Sequence, residues 1–463
     1  MTVPGERGSL GLGDETMWRR FFLGLPAVLA CIQLSGAACA DSFYASPAAQ
    51  DANFADVGID GGGNAIFTWT SFTPQGIIVQ LRSRSAAGTL GATKTLSKTG
   101  HDAQSAHVAV NGAGAAVAVW QIHHGDASAK TPVQGRARAA DGTFGTIFNV
   151  DPHPGGSFSF DFANPNVAMD DVGNAVFTWI GLDSAQKRRA YARTRAADGT
   201  FGRAFQLSPP GVSEVRMAVN GGGDAVFVWV WNDGAGHNLI QARRLSADGT
   251  RGRTKIIGQG VPGSGGGGLA TGNPQVALNS DGDALIVWEQ PDGAGACGIN
   301  GCPKILARTL SKAGKVGTVP QTLTTTVDGG RSPQVAMDSR GRAVVTWRHS
   351  GLEFRTRGAG GVLGPLQQFT TATDADVPVL KGDPAGNTVA VWSSASVVQA
   401  RTRSQAGVLG PIDTFSIDGQ SSFGGVAAIG TNGDAIVAWG QLDGLGQCSG
   451  GTSCNRIGAA ADP

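Results

Sequence analysis

Alternating hydrophobic and polar positions recur along the chain in eight similar segments, and each segment contains a short apolar run that ends in tryptophan. In the third segment, Ala175, Phe177 and Trp179 fall on one face of a predicted strand, and the residues between them fall on the other. Both faces are apolar, which is typical of a strand that has a sheet on either side. A hairpin that turns at Asp198-Gly199 follows this strand.

The tryptophans define the repeat, because successive ones lie 45 to 59 residues apart: Trp69, Trp120, Trp179, Trp229, Trp288, Trp347, Trp392 and Trp439. A period of this length is typical of propellers, solenoids and arrays. Each segment contains about four predicted strands, which make one blade of a β-propeller. The sequence therefore predicts an all-β, eight-bladed β-propeller of four-stranded antiparallel blades over residues 41–463.

The two ends of the repeat predict a closed ring. The last segment stops near its third strand, and residues 42–46 resemble the fourth strands of other segments. We expect this N-terminal strand to complete the eighth blade and to leave no sheet edge exposed. A β-helix is the alternative fold, although its rungs are shorter and lack these hairpins. A string of small sandwiches would need about a hundred residues for each unit.

Residues 1–40 are predicted to be an export signal with an N-terminal extension. Two arginines precede a short apolar stretch, and small residues fit cleavage after Ala40. The stretch is too short to cross a bilayer. Residues 1–16 are polar and rich in glycine, so both Met1 and Met17 are candidate start positions. The sequence predicts a secreted or periplasmic protein.

Four cysteines remain after the predicted signal, in two close pairs, Cys297/Cys302 and Cys448/Cys454. Four cysteines allow three pairings. The pairs occupy the same place in the fifth and eighth segments, so pairing within each is favoured, and disulfides are the default in an oxidising compartment. No further ligands at zinc spacing are visible, and we expect no metal. A lipoprotein signal at Cys31 is a weaker alternative, because this cysteine lies inside the apolar stretch.

Composition narrows the choice of partners. The chain has 36 Lys+Arg and 35 Asp+Glu, and charged residues make up 15% of it. This balance lacks the basic field that nucleic acid or an anionic membrane requires. No long apolar run follows the signal, so we expect no membrane span. We also expect a monomer without a cofactor.

Two motifs occur in most segments, and we interpret both as scaffold. The first residue of the D/N-x-x-G turn before each tryptophan strand could bind calcium or could cap the turn. Its variation among segments favours the cap. An Arg-x-Arg pair in the third strand has the alternatives of an anion site or of hydrogen bonds between strands or blades. Its regularity favours the latter: Arg82/Arg84, Arg136/Arg138, Arg193/Arg195 and Arg401/Arg403.

The string RTRSQAGVLGP at 401–411, together with the recurring GDAxVxW pattern, resembles secreted bacterial β-propeller repeat proteins, most of which lack an assigned activity. The resemblance covers residues 41–463 and implies a propeller, but no catalytic residues. The chain differs from sialidase propellers, because the S-x-D-x-G-x-T-W box is absent. It also lacks the Gly-His and Trp-Asp pattern of WD40 repeats.

Candidate functional residues lie in the loops from second to third strands and between blades, which are long and varied. Varied loops on a rigid frame are where function is expected. The ligand-binding candidates are His123, His124, Trp231, His237 and Asp292. Three residues in the fifth and sixth segments, with the adjacent arginine, are candidates for acid–base catalysis: His349, Glu289, Glu353 and Arg348. The bland alternative is that polar residues collect in exposed loops.

The sequence favours an exported, non-enzymatic binding protein that presents varied loops to an extracellular glycan or protein. No nucleophile motif such as G-x-S-x-G is present. The alternative is a polysaccharide hydrolase or lyase that uses the acid–base candidates, because one fold can host both roles. A structural protein of the cell surface is a third possibility.

Overall fold

The structure is a computed structural model and describes residues 41–48, 50–123, 132–152, 164–183, 185–260, 271–291, 302–324, 329–417, 419–442 and 454–461. These residues form eight four-stranded antiparallel sheets. The sheets are the blades of an eight-bladed β-propeller, which confirms the fold that the tryptophan repeat predicts. The described part of the chain contains no helix with the length and apolarity needed to cross a bilayer.

The first four blades follow one another along the chain. The first contains β2 (Asp51–Ile59), β3 (Ala65–Thr73), β4 (Gly76–Arg84) and β5 (Lys94–Thr95). The second contains β6 (Asp102–Val110), β7 (Ala116–His123), β8 (Val133–Arg138) and β9 (Phe144–Asn149). The third contains β10 (Asn166–Met169), β11 (Ala175–Leu182), β12 (Arg188–Arg195) and β13 (Phe205–Gln206). The fourth contains β14 (Val212–Val219), β15 (Ala225–Asn232), β16 (Asn238–Leu245) and β17 (Lys255–Gln259).

The last four blades have the same strand order. The fifth contains β18 (Gly272–Leu278), β19 (Ala284–Pro291), β20 (Pro303–Leu310) and β21 (Gln321–Thr322). The sixth contains β22 (Arg331–Met337), β23 (Ala343–His349), β24 (Gly351–Arg357) and β25 (Gln367–Thr370). The seventh contains β26 (Val379–Gly382), β27 (Thr388–Ser394), β28 (Val397–Arg403) and β29 (Asp413–Phe415). The eighth contains β30 (Ser422–Ile429), β31 (Ala435–Leu442), β32 (Asn455–Ala461) and β1 (Asp41–Tyr44).

The N-terminal strand closes the ring. β1 pairs antiparallel with β32, with Ser42 opposite Ala460 and Tyr44 opposite Gly458. Phe43 reaches into the first blade, where its ring lies 5.9 Å from that of Phe67 in edge-on geometry. This pairing covers the outer edge of β32 and confirms the predicted closure.

The second strand of each blade is buried on both faces. In β11, the first seven residues are all buried, and the tryptophans of the repeat are at most 2% exposed. The apolar clusters join neighbouring blades; Val117 and Val133 of the second blade, for example, pack with Phe177 and Trp179 of the third. The core is therefore divided among the interfaces between blades.

Five of the buried indoles donate a hydrogen bond to a glutamine side chain. In the first, fourth and seventh blades, the glutamine comes from the third strand: Gln80, Gln241 and Gln399. In the fifth and eighth blades, it lies two residues after the tryptophan: Gln290 and Gln441. These bonds of 2.9 to 3.1 Å satisfy a buried N–H that would be costly to leave unpaired.

The D/N-x-x-G turns are held by side-chain caps. The Asp60 Oδ1 atom accepts the amides of Gly62 and Asn64 at 2.9 and 2.8 Å, and Asp383 and Asn220 cap their turns in the same way. The glycine at the fourth place has a positive φ, for example 81° at Gly63. These bonds confirm the capping role.

The first arginine of each Arg-x-Arg pair connects strands and blades. Arg401 donates from Nε to Gly410 O at 2.8 Å within its own blade, and from Nη1 to Phe369 O of the preceding blade at 3.0 Å. Arg82 and Arg193 make the same two kinds of bond. The scaffold interpretation of this motif is confirmed.

The ring has two unlike faces. We call the face with the hairpins between first and second and between third and fourth strands the turn face. The other, with the loops between second and third strands and between blades, is the loop face. The loops of the loop face differ in length from blade to blade, whereas the capped turns of the turn face recur in the same form. Of the candidate residues, His124, Asp292, Cys297 and Cys448 lie outside the described residues.

Candidate functional site

The first strands of the blades pack against one another around the axis, and most of them are interrupted near the loop face. The pairing of first and second strands shifts its register at this level in six blades: Asn53/Asp56, Gln104/His107, Val212/Glu214, Gly272/Gln275, Arg331/Gln334 and Phe423/Val426. Such bulges bend a strand and re-aim its side chains.

A left-handed residue marks most of these bulges. Six blades have one at the position six residues before the turn cap, with φ between 36° and 62°: Phe54, Ser105, Asn164, Asn273, Ser332 and Gly424. For a non-glycine residue this conformation costs about 1–3 kcal/mol and persists only where the surroundings impose it. Five such residues at one level of the axis make the loop-face mouth of the ring the leading candidate for a site.

Carboxylates from the preceding blade accept hydrogen bonds from amides in or beside the bulges. Asp56 Oδ2 accepts Val108 N at 3.0 Å, and Glu289 Oε2 accepts Ser332 N at 2.9 Å. Glu214 accepts the amide of Asn273. A bulge removes an amide from its ladder, and an ionised acceptor is a strong substitute. Glu289, a predicted acid–base residue, thus supports the inner strand of the sixth blade.

A cavity of 460 Å³ opens at the mouth between the eighth, first, second and third blades. Its lining is mainly apolar, with Phe54 and Phe423 projecting to 66% and 40% exposure. Asn53, Asn164 and His107 supply polar groups. An apolar surface with a few convergent polar groups is the usual composition of a ligand site.

His107, which lines this cavity, is paired with Asp56 of the first blade. The His107 Nδ1 atom lies 3.2 Å from Asp56 Oδ2, and the two side chains are 44% and 22% exposed. Burial raises the pKa of Asp56, but His107, the Lys381 ammonium and the Val108 amide together hold that pKa below its ordinary value. The carboxylate fixes the ring through Nδ1 and leaves Nε2 as the nitrogen that can bond to a ligand.

Glu214 occupies the bulge position in the fourth blade. Its carboxylate forms an ion pair with Arg216 at 2.7 Å. Burial raises the pKa of Glu214, with a smaller contribution from the nearby Glu289 carboxylate, whereas Arg216 and the Asn273 amide oppose the rise. Two carboxylates therefore lie near each other on this side of the mouth. Among the described residues, no group of three or more His, Cys, Asp or Glu side chains forms a metal site.

Two of the predicted acid–base residues meet in the sixth blade. Glu353 takes the place that glutamine has beneath the tryptophan of other blades, and its Oε2 accepts the indole N–H of Trp347 at 2.9 Å. Its Oε1 lies 3.0 Å from His349 Nδ1. Glu353 is 7% exposed, so a buried carboxylate orients the imidazole. Arg348 is exposed, with Arg331 opposite it in the first strand.

The other described candidates have structural contacts of their own. Trp231 donates from its indole to Pro210 O at 2.8 Å and packs on the cluster around Trp229. His237 lies 2.6 Å from Asp233, whose other oxygen caps the loop. The pairing with His237, aided by the loop amides, lowers the pKa of Asp233. His123 ends β7. Their roles in ligand binding remain predictions.

The sequence reasoning missed the bulge residues Phe54, Ser105 and Phe423. Phe54 and Ser105 lie six residues before the turn cap, where alternation breaks down and residue type varies from blade to blade, and Phe423 lies one residue before the equivalent Gly424. His107 lies in the inner strand β6, and its partner Asp56 belongs to another blade, 51 positions earlier.

No protein-family model matches the chain, and no curated protein matches it in sequence. Solved structures resemble it at low identity. The β-propeller domain of the Trilobed protease from Pyrococcus furiosus is 7% identical, with 79% of this chain and 98% of that chain covered and a TM-score of 0.47.

Two glycan-active proteins are also similar. The Penicillium chrysogenum α-L-arabinanase is 9% identical, over 83% of this chain and 99% of that chain, with a TM-score of 0.42. Hadza microbial sialidase Hz136 is 12% identical over 64% of this chain, with a TM-score of 0.35, and the match spans 63% of its length. These low values leave function to the geometry of the site.

The pairing of Asp56 predicts a pH-dependent contribution to stability. Because its folded pKa lies below the ordinary value of about 3.9, the carboxylate stabilises the fold above that value, and the contribution is lost as the pH falls through the folded pKa. Asp56→Asn should lower the free energy of unfolding by about 1–3 kcal/mol at pH 7, with a smaller difference from wild type below about pH 4.

Urea unfolding at the two pH values measures this difference. Asp171→Asn, which removes an exposed carboxylate on the turn face, serves as the charge-matched control and should have little effect. An Asp56→Asn deficit that is equal at both pH values would contradict the assignment.

Proposed function

We propose that the protein is an exported, non-enzymatic binding protein that holds an extracellular glycan at the loop-face mouth of its ring. The observation that carries this proposal is the cavity of 460 Å³ that Phe54 and Phe423 help to line. It lies where first strands of neighbouring blades are bulged. A protein is the other ligand class that this surface admits.

The chemistry of the lining supports a saccharide. Exposed aromatic rings can pack against the apolar C–H faces of a sugar. Amide groups of Asn53 and Asn164 and the ring of His107 can exchange hydrogen bonds with its hydroxyl groups. Among the described residues, no lysine or arginine lines this cavity, so the favoured ligand is an uncharged sugar unit.

The bulges also favour binding through pre-organisation. Phe54, Ser105 and Asn164 are held in left-handed conformations before any ligand arrives, and the bond from Val108 N to Asp56 helps to fix the strand in the second blade. The conformational entropy of these residues is then lost when the ring folds and does not reduce the free energy of ligand binding.

Removal of the exposed rings should abolish most of the affinity. Phe54→Ala and Phe423→Ala should each weaken binding by about 2 kcal/mol, or roughly thirtyfold in Kd, without a loss of thermal stability, because both rings are substantially exposed. A glycan array identifies the saccharide, and titration calorimetry with that saccharide measures the Kd.

Val172→Ala truncates an apolar side chain of 71% exposure on the turn face and should leave the Kd unchanged. Binding that survives both phenylalanine substitutions would refute the site. Capture of a protein and no glycan, still dependent on Phe54, would keep the site and replace the ligand class.

A hydrolase or lyase is the second candidate, and one observation favours it. Six of the described indole N–H groups bond to a side chain, and only in the sixth blade is this acceptor a carboxylate instead of a glutamine. The same carboxylate, that of Glu353, orients His349. An imidazole held by a buried carboxylate is a common general base. Glu289 and Arg348 each directly follow the tryptophan of their own blade, the fifth and the sixth, and are the other residues of this candidate.

Glu353→Gln separates the structural role of Glu353, its bond to the Trp347 indole, from a role in catalysis through His349. Glutamine fills the equivalent place beneath Trp69, Trp229 and Trp392, so the variant should fold with stability close to wild type. If the protein cleaves a polysaccharide, kcat should fall by about 10²- to 10⁴-fold. Gln241→Glu, which makes the reverse exchange in the fourth blade, should not change kcat. Full turnover in Glu353→Gln would eliminate this candidate.

Export and local disulfides complete the proposal. β1 begins at Asp41, directly after the predicted cleavage site. Cys302 and Cys454 are fully buried and occupy equivalent places just before the third strands of their blades. This equivalence supports pairing of each with the nearby cysteine in its own blade, Cys297 and Cys448.

Mass spectrometry of the protein exported by a bacterial host tests both points. The mature chain should begin at Asp41, and peptide mapping without reduction should give Cys297–Cys302 and Cys448–Cys454. Retention of residues 1–40 would contradict export by this signal, and a Cys302–Cys454 link or free thiols would contradict local pairing.

A further inference from the structure

The interface between the fourth and fifth blades departs from the repeat at one buried position. Arg244 lies in β16 opposite Val226. At the equivalent place, all seven other blades have a small residue: Ser83, Ala137, Thr194, Thr309, Thr356, Thr402 and Ala461. Arg244 is 5% exposed. A long cation therefore lies buried between two sheets, at a place where the other blades have a small side chain.

The guanidinium of Arg244 is not satisfied by the described part of the protein. Its Nε, Nη1 and Nη2 atoms are all buried without a hydrogen-bond partner there. Asp224 and Asp283 are close enough to act on its charge, but Asp224 pairs with Lys312 Nζ at 3.0 Å, and Asp283 accepts the Lys312 amide at 2.7 Å. A buried and unpaired charge is costly.

A cavity adjoins this residue on the turn-face side of the interface. It has a volume of 220 Å³ and is lined by Arg244, Arg253 and Lys255 of the fourth blade, with Leu310 and Ala313 of the fifth. None of the described residues that line it carries a carboxylate. The volume is several times the roughly 30 Å³ of a water molecule, so a polyatomic ion can enter.

The neighbouring blades show how the space arises. In the first and third blades, an arginine at the end of the third strand turns back over an aromatic ring of the preceding blade; Arg84 lies 5.0 Å from Phe43, and Arg195 lies 5.3 Å from Phe148. In the fifth blade this arginine is replaced by Leu310. Arg244 belongs to the blade on the opposite side of this interface and has no such ring among the described residues.

We propose that this pocket binds a tetrahedral oxyanion, a sulfate or phosphate group, between Arg244, Arg253 and Lys255. The anion would offset the buried charge of Arg244 and would bond to the exposed Arg253 and the half-buried Lys255. The guanidinium nitrogens of Arg244 are covered, so this side chain would attract the anion through its charge rather than through direct hydrogen bonds. The same group on a sulfated or phosphorylated sugar fits this chemistry, and the site is independent of the loop-face mouth.

Thermal unfolding with added sodium sulfate or sodium phosphate, against sodium chloride at equal ionic strength, tests the proposal. The Tm of the wild-type protein should rise and saturate with sulfate or phosphate but not with chloride. Arg244→Met should keep or raise the Tm without the anion, because an apolar chain replaces an unpaired charge, and should lose the anion-dependent shift.

Arg253→Gln tests the site even if Arg244→Met fails to fold, because the Arg253 side chain is exposed. This second variant should weaken sulfate binding about tenfold. Arg203→Gln is the matched control, since Arg203 occupies the same exposed position in the third blade, and should bind as wild type does. Glucose 6-sulfate distinguishes the sources: tighter binding than inorganic sulfate assigns a sugar ester, and weaker binding assigns the free ion.

Three results would overturn the proposal. The wild-type Tm could respond equally to chloride and sulfate, or Arg244→Met could retain the sulfate shift. In the third case, Arg244→Met lowers the Tm and the wild type shows no sulfate response, which would make Arg244 a partner of Asp224 in the fold.

Discussion

The packing of one tryptophan between each pair of neighbouring sheets is the constraint on which the ring depends. The indoles are at most 2% exposed, and in six blades their N–H groups have a side-chain acceptor, five glutamines and Glu353. The size of the indole sets the spacing of the two sheets, and its single N–H donor requires a hydrogen-bond acceptor at the position that faces it. The glutamine of the repeat is explained by this requirement, and Glu353 can replace it because a carboxylate is also an acceptor.

The fold was predictable because its rules are repeated eight times. Turn caps such as Asp60 and connecting arginines such as Arg401 recur in register, so the variation of one segment does not hide them. The mouth of the ring follows no such rule. Phe54 and Ser105 lie where a bulge breaks the period-two alternation from which faces are inferred, and the pairing of Asp56 with His107 requires knowledge of which blades adjoin. His349 and Glu353, four residues apart, were within reach of sequence reasoning, whereas the structure attaches Glu289 to Ser332.

Scaffold and site share the same contacts. A carboxylate such as Asp56 or Glu289 accepts an amide of the next blade's inner strand, and thereby joins two blades while it supports the strained backbone at the mouth. At Asn273 and Ser332, the amide of the left-handed residue is itself held by such a carboxylate. Features that break the repeat, including Glu353 and Arg244, stand out against this regular background, and they are where chemistry beyond architecture is expected.

Closure by β1 has a consequence for the biogenesis of the molecule. Asp41 pairs with Ala461, so the eighth blade combines the earliest and the latest parts of the ring to leave the ribosome. Until β32 is made, β1 has no native partner, and the inner edges of the first and eighth blades cannot meet. An open circle of finished blades exposes two unsatisfied sheet surfaces to other chains. Seven blades can form progressively from local hairpins, but the last step is a long-range one that must outpace association between unfinished molecules.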